Sequence, residues 1–152
     1  VYKRQVLYTV LDVLLLTLFG VALSSCINYP LSTNGQGSAV GTIVSAGYGF
    51  ICGAYMPISS FGTGLQKVLS FLPGTYGTSL LRNHMLRGAY DEMSASGFPD
   101  EVIELIRDSV DCNMYFFDTK VTIPSMYAVL CGATAALVGL YVLLNVLGKA
   151  KK

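Results

Sequence analysis

Charge is almost absent from two long stretches of this chain, and its absence limits what the chain can fold into. Between Arg4 and Lys67 the only charged residue is Asp12, and between Lys120 and Lys149 there is none. Charged residues make up 12% of the 152, about half the usual share, while hydrophobic types make up 53%. This composition excludes an ordinary soluble domain, a disordered tail and a nucleic-acid binder. We expect an integral membrane protein, or a piece of one.

Three membrane spans are predicted within the apolar stretches. A helix needs about 20 apolar residues to cross the hydrocarbon core, and a backbone in lipid must form its hydrogen bonds within its own segment. The predicted spans cover about residues 7–27, 39–56 and 125–147, and an uncharged turn at 31–38 makes the first two antiparallel neighbours. The expected fold class is therefore all-α, a polytopic helical membrane protein.

The segment between the second and third spans, 58–124, is predicted to be a long loop with helices of its own. Pro73 separates two amphipathic pieces, which are expected to form a re-entrant or interfacial helical hairpin over 61–87. An acidic segment follows over 91–120 and contains one more short helix. Residues 58–120 carry five Lys/Arg against eight Asp/Glu.

Charge placement suggests an orientation. Three spans put the two ends of the chain on opposite sides of the membrane, and the C-terminal Lys149, Lys151 and Lys152 favour a cytoplasmic tail under the positive-inside rule. We therefore expect a plasma (inner) membrane protein with segment 58–124 outside the cell. This orientation also places Lys3 and Arg4 outside, which is contrary to the same rule.

Small residues recur every four positions on the predicted second span. A four-residue step drifts by only about 40° around a helix, so these residues form one slowly winding stripe. Such a stripe lets another helix approach closely, either as a mobile interface or as ordinary tight packing, and ordinary packing is the favoured interpretation. The stripe consists of Gly41, Ser45, Gly49 and Gly53.

No catalytic, cofactor-binding or metal-binding residues are predicted. The chain has no G-x-x-x-x-G-K-[ST] loop, no His/Cys cluster with metal-ligand spacing, and no serine with a nearby His and carboxylate pattern. His84 is the only histidine, and a lone histidine near the interface is expected to be a polar surface residue.

Two further polar features are open to more than one interpretation. Asp12 is the one acid within a predicted span, so it is a functional candidate, and ion pairing with Lys3 or Arg4 at the membrane edge is an equally supported alternative. Arg82 and Arg87 could pair with lipid phosphates or with loop carboxylates, and lipid is the preferred partner.

Residues 49–85 read GFICGAYMPISSFGTGLQKVLSFLPGTYGTSLLRNHM and resemble the C-terminal half of a type 2 ABC transporter permease. That family often shows a Gly-rich span leading to G-x-Y-x-P, an amphipathic stretch ending near a proline, a Ser/Thr/Tyr-rich turn and an arginine. The matching residues here are Gly53, Tyr55, Pro57, Leu65, Gln66, Val68, Pro73, Tyr76 and Arg82.

The resemblance implies a membrane subunit of an ATP-driven exporter of drugs, lipid-like molecules or polysaccharides. This chain would supply spans four to six, and hairpin 61–87 would be the re-entrant element between the last two. The implied outer gate includes Tyr55, Pro57, Pro73, Tyr76 and Arg82. The implied partners are an ABC ATPase subunit that binds ATP and Mg, a second permease copy, and membrane lipid, with no nucleic acid. The first three spans are missing, so this piece alone should neither transport nor act as an enzyme, and we expect it to be poorly stable as a monomer.

Two other functions remain open. One is a structural or scaffolding membrane protein that acts by helix packing and presents an acidic loop. The weaker one is a membrane enzyme that uses His84 and nearby carboxylates.

Overall fold

The computed structural model of the chain describes residues 2–117 and 119–150. Side chains are described except at residue 2 and over 148–150, so the predicted Lys-rich C-terminal tail lies outside the described side chains. The described chain is helical apart from short turns and one small hairpin, which confirms the all-α expectation. The elements are α1 (Tyr2–Asn28), α2 (Asn34–Ile51), a 3₁₀ turn (Ile58–Ser60), α3 (Thr63–Leu69), α4 (Pro73–Ala95), α5 (Asp100–Ser109), antiparallel strands β1 (Tyr115–Phe116) and β2 (Thr119–Lys120), and α6 (Ile123–Ala150).

Two helices are long and apolar enough to cross a membrane, over Lys3–Asn28 in α1 and Ile123–Leu147 in α6. Most of their residues are not buried within the chain, and large apolar side chains such as Leu7 and Val146 are exposed. The core helix of a soluble protein would instead be mostly covered. Among the described residues α2 does not reach this standard, so the predicted second span, 39–56, stays a prediction.

Helices α1 and α6 lie side by side and run in the same direction. Near the start of both helices, Tyr127 contacts Asp12. Near their far ends, the Tyr29 hydroxyl donates to the Leu144 carbonyl at 2.6 Å. Since the contacts advance in the same order along both chains, the two helices are parallel.

Helix α4 runs antiparallel to α1 and packs against both long helices. Gly77 lies against Leu16 of α1, and about two turns later the Gln5 side chain donates to the Met85 carbonyl at 3.0 Å. A Cβ at residue 77 would overlap the Leu16 side chain, so glycine is what allows this close approach. The main core lies where α1, α4 and α6 meet and comprises Phe19, Tyr76, Leu80, Met114, Met126 and Leu130.

Helix α2 folds back along the C-terminal half of α1, as expected for an antiparallel pair, but its predicted bounds are wrong. It begins at Asn34 and ends at Ile51, whereas the prediction placed it over 39–56 after a turn that reached residue 38. Thr33 caps the helix by accepting from the Gln36 backbone N–H at 3.3 Å. The Gln36 side chain accepts in return from the Ser32 N–H at 3.2 Å. Thr33 and Gln36 have the spacing of a capping box, a start signal that outweighs the glycines nearby.

The predicted hairpin 61–87 is corrected in its second half. Pro73 does separate two helices and occupies the first turn of α4, where its missing N–H is not needed. Helix α4 then continues to Ala95 instead of ending near residue 86. Its C-terminal half is held by a second small core, in which Tyr90 packs with Ile103 of α5 and with Cys112.

Candidate functional site

A buried polar cluster joins the three packed helices. Asp12 comes from α1, His84 from α4 and Tyr127 from α6, and we call these three residues the Asp–His–Tyr cluster. His84 Nδ1 lies 2.5 Å from Asp12 Oδ2, and the Tyr127 hydroxyl donates to Asp12 Oδ1. Both carboxylate oxygens are therefore satisfied by groups from other helices.

The Asp–His–Tyr cluster is shielded by aromatic rings. Asp12 is 1% exposed and His84 is 6% exposed. The Tyr8 ring stacks on the imidazole with 5.1 Å between centroids, from one helical turn before Asp12. A carboxylate at such a site persists only because its hydrogen bonds offset the loss of water. The cluster links α4 to both α1 and α6.

Two expectations about these residues are corrected. His84 is not a polar surface residue, since it is buried on the inner face of α4. Asp12 pairs with His84 rather than with Lys3 or Arg4. No local pattern reveals the pairing, because the two residues are 72 positions apart. The only hint in the sequence is a carboxylate that lies inside an apolar helix and needs a partner.

A second polar network ties α4 to the loops around it. Arg82 Nη1 lies 3.2 Å from Asp111 Oδ2, and Arg82 Nη2 donates to the Gly53 carbonyl. Asp111 also accepts from the backbone N–H groups of Ile58 and Ser59. We call the Gly53, Arg82 and Asp111 set the arginine clasp. It fastens the end of α2, the 3₁₀ turn and the end of α5 to one point on α4.

The arginine clasp depends on two backbone positions with positive φ. Gly53 has φ +82°, and a Cβ there would also lie 3.0 Å from Ile58 Cγ1. Asp111 has φ 53°, a region that Asp enters more readily than most residues. The prediction that Arg82 pairs with lipid phosphates is therefore wrong, because the Asp111 carboxylate binds its guanidinium. Gly53 belongs to the clasp and lies beyond the end of α2, so it is not part of a helical stripe.

Of the other predicted outer-gate residues, Pro73 and Tyr76 lie at the junction between α3 and α4, and Pro57 and Tyr55 lie elsewhere. The Tyr76 hydroxyl donates to the Ser70 carbonyl at 2.5 Å, which satisfies a group left free at the end of α3. Pro73 begins α4 directly after this joint, and Pro57 precedes the 3₁₀ turn. Tyr55 is 68% exposed, and its ring packs on Phe50, so the structure does not bring Tyr55 into the clasp.

The predicted stripe on α2 faces α1 across a gap instead of packing tightly. Gly41 and Ser45 line a groove of about 250 Å³ with Gly20 and Ser24 of α1. A Cβ at Gly41 or Gly20 would meet nothing within 4 Å. Gly49, the third helical member of the stripe, also lines this groove and lies against the Tyr55 ring.

The described residues contain no group of three or more His, Cys, Asp or Glu side chains that could hold a metal ion. The Asp–His–Tyr cluster is enclosed between helices, and its hydrogen bonds connect α1, α4 and α6. Comparison with known proteins gives no match to a family model, to a curated protein or to a solved structure.

Proposed function

We propose that this chain is a membrane-embedded permease subunit, or part of one, in an ABC exporter powered by a separate ATPase. One observation supports this most. A polar helix, α4, lies alongside two apolar helices at the depth where those helices would cross lipid. Its buried residues include Ser79, Asn83 and His84.

A polar helix at membrane depth is tolerated only where protein shields it from lipid. Helix α4 has that shield, because it packs against α1 and α6 and binds loop carbonyls on its other side. The Ser79 hydroxyl and the Asn83 amide both donate to the Cys112 carbonyl. Polar side chains that a membrane protein holds away from lipid are typical of transport pathways.

The return path of the chain fits the same proposal. Because α1 and α6 are parallel, two spans at these positions require the segment between them to cross the membrane an odd number of times. Helix α2 covers the C-terminal half of α1, with Tyr48 packing on Phe19, and α4 continues in the same direction along the N-terminal half. We propose that α2 and α4 together make the return crossing that was predicted as a single second span.

Mechanistically, ATP-driven closure of the partner ATPase would shift α4 relative to α1 and α6. The Asp–His–Tyr cluster would hold α4 in one position, and the arginine clasp would make the outer loops move with it. The energy for transport would come from ATP hydrolysis by the ATPase. The residues of this chain would then only bind the substrate, pack against one another and move. In this proposal the chain resides in the plasma membrane and acts with a second permease copy. The loop after α4, residues 96–122, lies outside, whereas the sequence-based prediction placed all of segment 58–124 there.

The test is to purify the tagged protein, with its natural flanking sequence, from its own membranes and reconstitute the complex into liposomes. We expect a P-loop ATPase in fixed ratio and ATP-driven movement of a lipophilic or glycan substrate. The Tyr127→Phe variant should assemble equally well but transport more slowly, and Tyr141→Phe on the outer face of α6 is the matched control. Purification without any ATPase would contradict the proposal.

The open groove between α1 and α2 favours the alternative, a structural membrane protein that acts by helix packing. In that case the purified assembly would contain other membrane helices seated on the side of Gly41 and Ser45, and it would hydrolyse no ATP. The liposome assay above separates the two functions.

A further inference from the structure

Three cationic side chains from two helices converge on one pocket at the N-terminal end of α1. Lys3 and Arg4 lie in the first turn of α1, and Arg87 lies on the C-terminal half of α4. Together with Gln5 they line a cavity of about 360 Å³. No carboxylate is among the residues that line it.

The three cations have no ion-pair partner within the described part of the chain. This contrasts with Arg82, Arg107 and Lys120, each of which pairs with a carboxylate. Like charges held together without a counter-charge repel one another, so an anion in the pocket would relieve that repulsion. The charge of the pocket therefore selects an anionic ligand.

Gln5 adds a hydrogen-bonding feature beside the cations. Its Nε2 donates to the Met85 carbonyl at 3.0 Å. Its Oε1 is buried and has no hydrogen-bond partner. This oxygen is closed off from a ligand, so Gln5 contributes by tying the first turn of α1 to α4 at the wall of the pocket.

The pocket also lies directly above an apolar surface. Val6 and Leu7 are exposed in the residues that follow it on α1, Val10 is exposed one turn further, and Met85 is exposed beside Arg87 on α4. Cations at the rim of an exposed apolar band match the level of lipid headgroups at a bilayer edge. A free anion would use the charges but would leave this apolar surface uncovered.

We propose that Lys3, Arg4 and Arg87 bind the phosphodiester of an anionic phospholipid. The phosphate lies among the three cations, and the acyl chains run down the apolar face of α1. A phospholipid and free inorganic phosphate both carry an anionic phosphate group. They differ because only the lipid has acyl chains that can cover the apolar surface.

The experiment counts lipids bound to the purified protein by native mass spectrometry in detergent, with phosphatidylglycerol and phosphatidylcholine as probes. We expect retention of one phosphatidylglycerol and much weaker retention of phosphatidylcholine. Near a membrane each cation contributes roughly a fivefold change in affinity, so Arg87→Gln should weaken binding about fivefold. The K3Q/R4Q/R87Q variant should abolish retention.

Lys67→Gln is the matched control, since it removes an exposed cation that does not line the pocket. It should leave retention unchanged. Arg87→Gln alters one exposed side chain, so it remains informative if the triple variant fails to fold. Equal retention of phosphatidylglycerol by wild type and Arg87→Gln would overturn the proposal. Full displacement of the lipid by millimolar inorganic phosphate would overturn it in favour of a small-anion site.

Discussion

At the scale of single residues, the informative side chains are polar ones that the fold removes from water. Asp12, His84 and Asp111 are all buried, and each is satisfied by a partner from a different part of the chain. Removing one partner from such a group costs more than the bond itself, because the other is left unsatisfied. These residues therefore control how tightly the elements hold together.

Tyr127 should stabilise the packing of α6 against α1 by a measurable free energy. Tyr127→Phe keeps the ring and removes the hydroxyl that donates to Asp12, so we expect a loss of about 1–2 kcal/mol in unfolding free energy. SDS-induced unfolding in lipid bicelles measures it. Tyr141→Phe, on an exposed part of the same helix, should change nothing. Equal losses in the two variants would show that the Asp12 contact contributes no stability.

Cys112 should behave as an inert thiol. It is 1% exposed, and burial raises the pKa of its thiol above the ordinary value. Since the thiolate is the reactive form, we expect iodoacetamide to alkylate it at least about tenfold more slowly at pH 8 than the same cysteine in the unfolded chain. A variant without the other three cysteines isolates its signal.

The pH dependence of that reaction has a defined sign. The rate for the unfolded chain should rise through the ordinary thiol pKa, while the rate for the folded chain rises only at higher pH. The stability linked to Cys112 is complete below the unfolded pKa and is lost as pH rises through the folded one. Superimposed pH profiles for the two states would contradict the prediction.

At the scale of elements, α4 organises the molecule although its sequence does not mark it as a core helix. Its buried residues are mostly small or polar, among them Gly74, Thr75, Gly77 and Ser79. Small residues allow close packing, and the polar ones find partners in the loops that surround the helix. The amphipathic pattern expected of an interfacial helix is the same pattern that a helix needs when loops cover its polar face.

The arginine clasp should decide whether those loops stay attached to α4. Asp111→Ala removes the carboxylate that holds Arg82 and the N–H groups of Ile58 and Ser59. We expect a cost of about 2–3 kcal/mol and faster proteolysis near residues 53–60. Glu101→Ala removes an exposed carboxylate from the first turn of α5 and is the control. Unchanged proteolysis in Asp111→Ala would mean that the loops are held by other contacts.

At the scale of the whole molecule, α1 and α6 are parallel, so the proposal that both cross the membrane predicts that their N-terminal ends lie on the same side. Single cysteines at Lys3 and Lys120 should be labelled from one side of sealed, oriented vesicles. A cysteine at Ser32 should be labelled from the other side. An impermeant maleimide provides the measurement, in a background in which the native cysteines are replaced.

The result is decisive for the proposed topology. Labelling of Lys120→Cys from the outside supports the proposed orientation, and labelling of Lys3→Cys and Lys120→Cys from opposite sides would contradict the parallel spans. Labelling of all three positions from one side would mean that neither long helix crosses the membrane.

The sequence by itself determined the features that depend on nearby residues. A composition poor in charge marks α1 and α6 as apolar helices, and Pro73 separates α3 from α4. Thr33 with Gln36 marks the start of α2, although this signal is easily overlooked among the glycines around it. Each follows from local backbone chemistry or from hydropathy within a few turns.

Only the tertiary structure decided which polar groups meet. Asp12 and His84 are 72 positions apart, and Arg82 and Asp111 are 29 apart. Their pairing depends on how α4 packs against α1 and α6. Because a buried charge takes whichever partner the packing brings to it, neither composition nor spacing could show that Asp12 faces a histidine and not the nearby lysine and arginine.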